Sequence, residues 1–134
     1  MHPKGSCNCG SISFEITAPI KKVVNCHCNF CRRMNGSSFS TYVIVSETDF
    51  QILSGNSNLK HHEVSQNGTK FFCNNCGSPI FNRNSKFPGL NIIYLGILDN
   101  PSLYKPQVNI FCDTKLGWVD DISNIDSFIQ TVVK

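Results

Sequence analysis

The chain has 134 residues, of which 40% are hydrophobic and 16% are charged, so we expect one globular domain over residues 1–134. No segment reaches the roughly 20 consecutive apolar residues that a membrane-spanning helix needs. The first residues lack the apolar run of a secretory signal, so we expect a cytoplasmic protein. The formal charge is only +3, and the basic residues are dispersed apart from Lys21-Lys22 and Arg32-Arg33. Nucleic acid is therefore not the expected partner.

The hydrophobic pattern predicts a mainly β fold. Alternation of apolar and polar residues, and apolar runs bounded by turn residues, predict strands. In chain order these cover residues 12–16, 20–24, 39–45, 50–53, 59–64, 70–73, 92–98 and 108–112. Asn67-Gly68 predicts a hairpin between two of these strands. Short helices are predicted over 29–34 and 124–132, the second with Asp126 in its first turn.

Eight cysteines in so short a chain call for a chemical explanation. The cytosol keeps thiols reduced, so four disulfides are not expected there. The spacings Cys7-x-Cys9 and Cys26-x-Cys28 are also too short for unstrained pairing within each cluster. Metal binding is the better explanation, and Zn²⁺ is the metal that thiolate sets typically hold. Seven thiolates with two Zn²⁺ would cancel the formal +3, so the positive charge does not indicate an acidic partner.

Two of the cysteine clusters share one form, in which two cysteines are followed directly by glycine. They are Cys7-x-Cys9-Gly10 and Cys73-x-x-Cys76-Gly77. Glycine adopts positive φ without a Cβ clash, which suits a chain that reverses around a metal. The two clusters together predict a closed site of four thiolates. Such a site leaves no position for substrate, so its predicted role is structural.

The middle cluster offers three thiolates within six residues, Cys26, Cys28 and Cys31. Three protein ligands with an open fourth position are typical of catalytic zinc. A fourth protein ligand would close this site, and the candidates are His27, His61, His62 and Cys112. In an extended segment, His27 would point away from its two cysteine neighbours. His61 and His62 are predicted to be solvated, and Cys112 is predicted to be a small buried core residue.

Spacing alone leaves the grouping of the cysteines open. Cys7 and Cys9 could instead join Cys26 and Cys28, with Cys31 left to Cys73 and Cys76. The glycine positions favour the first grouping.

The ordered motifs closely resemble those of the glutathione-dependent formaldehyde-activating enzymes, a family that includes the centromere-protein-V-like proteins. The resemblance runs from Gly5 to about Phe128. It rests on the stretches Gly5-Ser6-Cys7-Asn8-Cys9-Gly10, Cys26-His27-Cys28-Asn29-Phe30-Cys31-Arg32-Arg33, Phe71-Phe72-Cys73-Asn74-Asn75-Cys76-Gly77-Ser78-Pro79-Ile80-Phe81, Gly96-Ile97-Leu98-Asp99-Asn100-Pro101 and Lys115-Leu116-Gly117-Trp118. Asn109 departs from the pattern, because this family often has histidine there, and the chain is short beside the founding enzymes.

The resemblance implies twisted β-sheets of the kind found in a small zinc-bound Rab-interacting protein. It implies structural zinc at Cys7, Cys9, Cys73 and Cys76, and catalytic zinc at Cys26, Cys28 and Cys31. The implied activity joins glutathione and formaldehyde into S-(hydroxymethyl)glutathione, a carbon–sulfur lyase-type reaction.

Two routes are open for that chemistry. The zinc site either holds the thiol as a thiolate or polarises the aldehyde oxygen, and the net negative charge of a three-thiolate site favours the first route. Arg32 and Arg33 are candidate partners of the glutathione carboxylates, and a solvated surface pair is the equal alternative. Trp118 is predicted to be a core residue rather than a pocket wall. The alternative function is a non-catalytic zinc-binding module for a protein or nucleic-acid partner.

Overall fold

The structure is a computed structural model that describes residues 2–132. Its strands are β1 (Lys4–Ser6), β2 (Ser13–Ile16), β3 (Lys22–Cys26), β4 (Ser40–Ser46), β5 (Phe50–Ser54), β6 (Leu59–Glu63), β7 (Gly68–Cys73), β8 (Pro79–Asn84), β9 (Leu90–Tyr94) and β10 (Val108–Ile110). One α-helix, α1, covers Asn29–Asn35. Short 3-10 turns cover Glu47–Asp49, Asn56–Asn58, Leu95–Ile97, Pro101–Leu103, Cys112–Thr114 and Val119–Asn124.

The strands form a small and a large sheet. The small sheet has the order β1-β2-β5, and the large one has the order β10-β3-β4-β9-β8-β7-β6. All neighbours pair antiparallel except β10, which runs parallel to β3 at one edge. The predicted mainly β fold is confirmed.

One face of the large sheet packs on the small sheet and makes the main core. Phe50 of the small sheet lies between Phe14 and Phe81, and its ring centroid is 5.1 Å from each of theirs. Phe14 and Ile93 are fully buried in the same cluster. Each such side chain contributes about 1.5–3 kcal/mol to the free energy of unfolding.

The opposite face of the large sheet carries a different set of side chains. Directly paired residues share a face, and the pairs Lys22↔Ile44, Ile44↔Ile92, Ile92↔Asn82 and Asn82↔Lys70 run across five strands in one row. This row is apolar in the middle and cationic at both ends. The small sheet does not cover it, so this face is available for a functional site.

Most predicted strands are confirmed, with shifted ends. The 92–98 run ends as a strand at Tyr94, and the 108–112 run ends at Ile110. The hairpin at Asn67-Gly68 is confirmed, since β6 pairs antiparallel with β7. Strands β1 and β8 were not predicted.

The helix predicted over 29–34 is confirmed, but the terminal helix over 124–132 is wrong. The structure has a 3-10 turn at Val119–Asn124, and residues 125–132 form no helix. Phe128 and Ile129 of this segment are exposed, so no packed face stabilises a helix there. Isolated helices of this length are marginal in water.

Two core assignments are also wrong. Cys112 is exposed, because it follows the edge strand β10, whose residues are all exposed. Trp118 is 54% exposed. Within residues 2–132, no helix is long and apolar enough to cross a membrane.

Candidate metal centres

The four cysteines of the two glycine-terminated clusters converge on one point. The sulfurs of Cys7, Cys9, Cys73 and Cys76 all lie within 4.8 Å of one another. Cys7 and Cys9 lie in the loop after β1, Cys73 ends β7, and Cys76 lies in the turn between β7 and β8. The alternative grouping, which would mix these clusters with the middle one, is therefore not the one that the structure has.

The glycines of this centre do what the sequence predicts of them. Gly10 and Gly77 have φ of +79° and +80°. No other atom lies within 4 Å of a Cβ built on either residue. The requirement is therefore for the left-handed backbone, which reverses the chain directly after the second cysteine of each pair.

Polar neighbours favour thiolates at the rim of the four-cysteine set. Hydrogen bonds from Ser11 and Asn75 lower the pKa of Cys9 to about 5. Ser78 lowers the pKa of Cys76 to about 7. Burial raises the pKa of Cys73, the innermost member.

The sulfurs of Cys26, Cys28 and Cys31 form the second set, again within 4.8 Å of one another. Cys26 ends β3, Cys28 caps α1, and Cys31 lies in the first turn of that helix. The Cys28 sulfur accepts a hydrogen bond from the backbone N–H of Cys31 at 3.3 Å. This cap fixes the orientation of the loop that carries all three donors.

The sulfur spacings fit a tetrahedral zinc site. Sulfurs at about 2.3 Å from a central ion lie about 3.8 Å apart. The sulfur–sulfur distances are 3.6 Å for Cys7–Cys9, 3.8 Å for Cys9–Cys73 and 3.4 Å for Cys26–Cys31. Both sets are pure soft-donor sets, which suits zinc and excludes the hard cations calcium and magnesium.

No fourth protein donor joins the middle set among the described residues. His61 and His62 are exposed on β6, as the sequence predicts. His27 is buried, and its Nε2 lies 3.0 Å from the Oδ1 of Asn109. Oδ1 can only accept, so Nε2 carries the proton, and the ring is turned away from the cysteine sulfurs toward β10.

Asn109 holds the ligand loop against the edge of the large sheet. Its Oδ1 accepts hydrogen bonds from His27 Nε2 and, at 3.2 Å, from Asn25 Nδ2. Thr114 adds a second tie, because its hydroxyl donates to the carbonyl oxygen of His27 at 2.8 Å. The asparagine that departs from the family pattern therefore acts as an acceptor that positions the loop.

A chain of hydrogen bonds that the sequence did not reveal ends on the second set. Tyr94 donates to the Oδ1 of Asn82 at 2.9 Å, and the Nδ2 of Asn82 donates to the Tyr42 hydroxyl at 3.4 Å. Tyr42 in turn donates to the sulfur of Cys31 at 3.0 Å. Burial raises the pKa of Tyr42, so this hydroxyl stays protonated and remains a donor.

The protons of the three-cysteine set are unequally shared. The Cys31 thiol donates to the Cys26 sulfur, which lowers the pKa of Cys26 to about 6. The same bond, together with burial, raises the pKa of Cys31. Cys26 is therefore the first of this pair to be ready as a ligand at neutral pH.

The three-cysteine set opens into a cavity of about 580 Å³ on the uncovered face of the large sheet. A ligand pocket typically has a volume of about 300–1,000 Å³. Val24, Ile44 and Ile92 form its floor beside the cysteines, and Tyr42 and Asn82 lie at the same level. The four-cysteine set does not line this cavity.

A second, more open cavity of about 480 Å³ adjoins the first. The two share Phe30, Met34 and Val64 in their linings. Arg33 and Lys70 give the second cavity positive charge. Of the two arginines that are candidate substrate ligands, Arg33 lines this cavity and Arg32 lines neither.

The fold and the two sulfur sets define a small β protein with two candidate zinc centres, of which one has four protein donors and the other three. The sequence pattern of the glutathione-dependent formaldehyde-activating enzymes matches residues 2–114, so the chain belongs to that family. This confirms the resemblance inferred from the motifs.

Three known proteins are similar to this chain. The chain is 23% identical over 124 residues to a putative glutathione-dependent formaldehyde-activating enzyme of Halomonas elongata, covering 87% of this chain and 79% of that protein. It is 30% identical over 78 residues to an uncharacterized lyase of Schizosaccharomyces pombe, covering 58% of this chain and 55% of that protein. The crystal structure of a Rhodobacter sphaeroides protein has the same fold, with a TM-score of 0.64 at 21% identity, covering 78% of this chain and 98% of that one.

Proposed function

We propose that this chain is a zinc-dependent enzyme that joins the thiol of glutathione to formaldehyde or a related aldehyde and splits the same adduct in reverse. The observation that carries the proposal is the inequality of the two sulfur sets. The three sulfur donors Cys26, Cys28 and Cys31 line the large cavity, whereas none of the four donors of the other set lines it. A site for a substrate thiol needs that open position, and a purely structural site does not.

The reaction balances without an oxidant or a reductant. The sulfur–hydrogen bond of the thiol and the π bond of the carbonyl group break, and one carbon–sulfur bond forms. The proton ends on the former carbonyl oxygen. The reverse direction cleaves the carbon–sulfur bond, which places the proposed activity in the lyase class.

Cys26, Cys28 and Cys31 would hold the catalytic zinc, which would supply a positive centre that favours the thiolate over the thiol of a substrate. The chain's own contribution begins with Tyr42, whose hydroxyl donates to Cys31. That bond withdraws electron density from one of the three sulfurs and fixes its orientation. Asn82 holds the hydroxyl in place from the other side.

The cationic cavity suits the anionic part of glutathione. Arg33 and Lys70 line it, and it adjoins the cavity of the three-cysteine set. Carboxylates bind to guanidinium and ammonium groups through charge-assisted hydrogen bonds. We assign the glutathione carboxylates to Arg33 and Lys70, and we assign no role to Arg32.

The test compares Cys28→Ser and Cys76→Ser with the wild type and with Cys112→Ser. Cys112 is exposed and belongs to neither sulfur set, so its variant controls for the loss of a thiol. We expect two zinc ions per chain in the wild type and the control. Cys28→Ser should stay folded with one zinc and lose catalysis, whereas Cys76→Ser should not fold.

Exchange NMR of a glutathione and formaldehyde mixture measures the catalysis directly, because the free thiol and the adduct give separate signals. A Cys28→Ser protein as active as the wild type would remove the catalytic assignment. The alternative, a non-catalytic zinc module, would be favoured by a wild type that accelerates no exchange and binds a macromolecule tightly.

A further inference from the structure

We propose that the aldehyde-derived part of the natural adduct is apolar and much larger than formaldehyde, and that it lies on the floor formed by Val24, Ile44 and Ile92. This inference rests on the proposed function, because it names the substrate class of the same site. It begins from the large cavity, whose volume exceeds what formaldehyde needs by an order of magnitude, since one water molecule takes about 30 Å³ of liquid.

The floor of this cavity is apolar where it meets the cysteines. Val24 lies two residues before Cys26 on β3, so the two side chains point to the same face of the sheet. Ile44 and Ile92 are directly paired on the neighbouring strands and are only partly buried by the protein. An apolar group attached to the reacting carbon would cover them.

Three exposed aromatic rings stand at the rim of the cavity, where Lys22, Arg83 and Lys86 also line it. Phe30, Phe87 and Phe111 line the cavity, and each has 56–60% of its surface exposed. Phe111 reaches its position with φ of +57°, a left-handed backbone that costs a non-glycine residue about 1–2 kcal/mol. Three aromatic rings around one opening favour an apolar ligand over a hydrated one-carbon aldehyde.

The two adjoining cavities differ in the residues that lie beside the cysteines. Arg33 and Lys70 line the second cavity and not the large one, whereas Val24, Ile44 and Ile92 line the large cavity and not the second. An adduct of glutathione with an apolar aldehyde has this same division about its sulfur atom. Formaldehyde would leave the apolar side unfilled.

The test measures binding of S-methylglutathione and S-hexylglutathione to the zinc-loaded protein by calorimetry. Both keep the carboxylates and carry a thioether sulfur, and they differ only in the apolar chain. Burial of five added methylene groups should tighten binding at least about tenfold. Equal affinity for the two ligands, or no binding of either, would overturn the proposal.

A matched pair of variants locates the binding site. Phe87→Ala should lower the ratio of the affinity for S-hexylglutathione to that for S-methylglutathione at least about threefold. The affinity for S-methylglutathione itself should stay unchanged. Phe128→Ala makes the same change at an exposed phenylalanine outside the cavity lining and should alter neither affinity. If Phe87→Ala instead changes the oligomeric state in light scattering, with ligand affinity unchanged, the apolar surface is an interface between copies and the proposal fails.

Exchange NMR with formaldehyde and with hexanal separates this proposal from the proposed function. Acceleration with both aldehydes, and more with hexanal, supports both. Acceleration with formaldehyde alone keeps the proposed function and overturns the apolar substrate. No acceleration with either aldehyde overturns both proposals, whatever the measured affinity for S-hexylglutathione.

Discussion

Tyr42→Phe removes one oxygen atom from the neighbourhood of the three-cysteine set and nothing else. The hydroxyl is buried and makes two hydrogen bonds, a 3.0 Å bond to the Cys31 sulfur and a 3.4 Å bond from Asn82. A hydrogen bond to a charged group contributes about 1.5–3 kcal/mol. The longer bond from Asn82 adds little. We expect a loss of about 1.5–3 kcal/mol in the free energy of unfolding of the zinc-loaded protein.

Tyr42→Phe should also lower the affinity for zinc, but only at the three-cysteine set. Removing a group that orients a metal ligand typically costs 10–100-fold in affinity or activity. Zinc competition with a chelator of known affinity should therefore show one weakened site and one unchanged site in Tyr42→Phe. Exchange NMR should show catalysis reduced by about the same factor.

Tyr94→Phe is the matched control, because Tyr94 is also buried and its hydroxyl donates to Asn82 rather than to a sulfur. It should lower the free energy of unfolding by about 1 kcal/mol and leave both zinc affinities within about twofold. If Tyr42→Phe matched this control in zinc affinity and exchange rate, the bond to Cys31 would have no role in the site.

Two further predictions follow from the glycines and the arginines. Gly77→Ala should cost only about 1–2 kcal/mol and keep both zinc ions, because the penalty is confined to its positive φ. Gly55→Ala should lower the free energy of unfolding, measured by chemical denaturation, by more than twice as much. Its Cβ would clash with the backbone of Ser11 and Ile12, which precede β2. Arg33→Ala should raise the KM for glutathione about tenfold, whereas Arg32→Ala should leave it unchanged; equal effects would argue against the carboxylate assignment.

The cysteine pattern could be predicted from the sequence because its information is local. The glycine after Cys9 and the glycine after Cys76 mark positive φ, and that conformation depends on the residue itself. The mainly β fold follows from a period of two, which is also local. Strand β8 was missed because Pro79 and the polar residues at its far end interrupt the alternation.

Tyr42, Asn82 and Tyr94 could not have been predicted, because three different strands bring them together. Tyr42 and Cys31 are 11 residues apart, on a strand and a helix, and no sequence pattern predicts a hydrogen bond between two such residues. The prediction that Cys112 is buried was wrong for the opposite reason. Its local apolar run is real, but the run lies at an edge that nothing in the described part of the chain covers.

The two sulfur sets also differ in how much of the chain each one closes. The contact between Cys9 and Cys73 spans 64 residues, whereas that between Cys26 and Cys31 spans five. By the logarithmic dependence of loop-closure entropy on length, closing the first loop costs about 2.3 kcal/mol more than closing the second. A metal at the four-cysteine set therefore ties distant segments of both sheets together, while a metal at the other set orders a turn that the cap by Cys28 already holds. Under the proposed function, the three-cysteine set would therefore leave a coordination position open for substrate without a large loss in the free energy of unfolding.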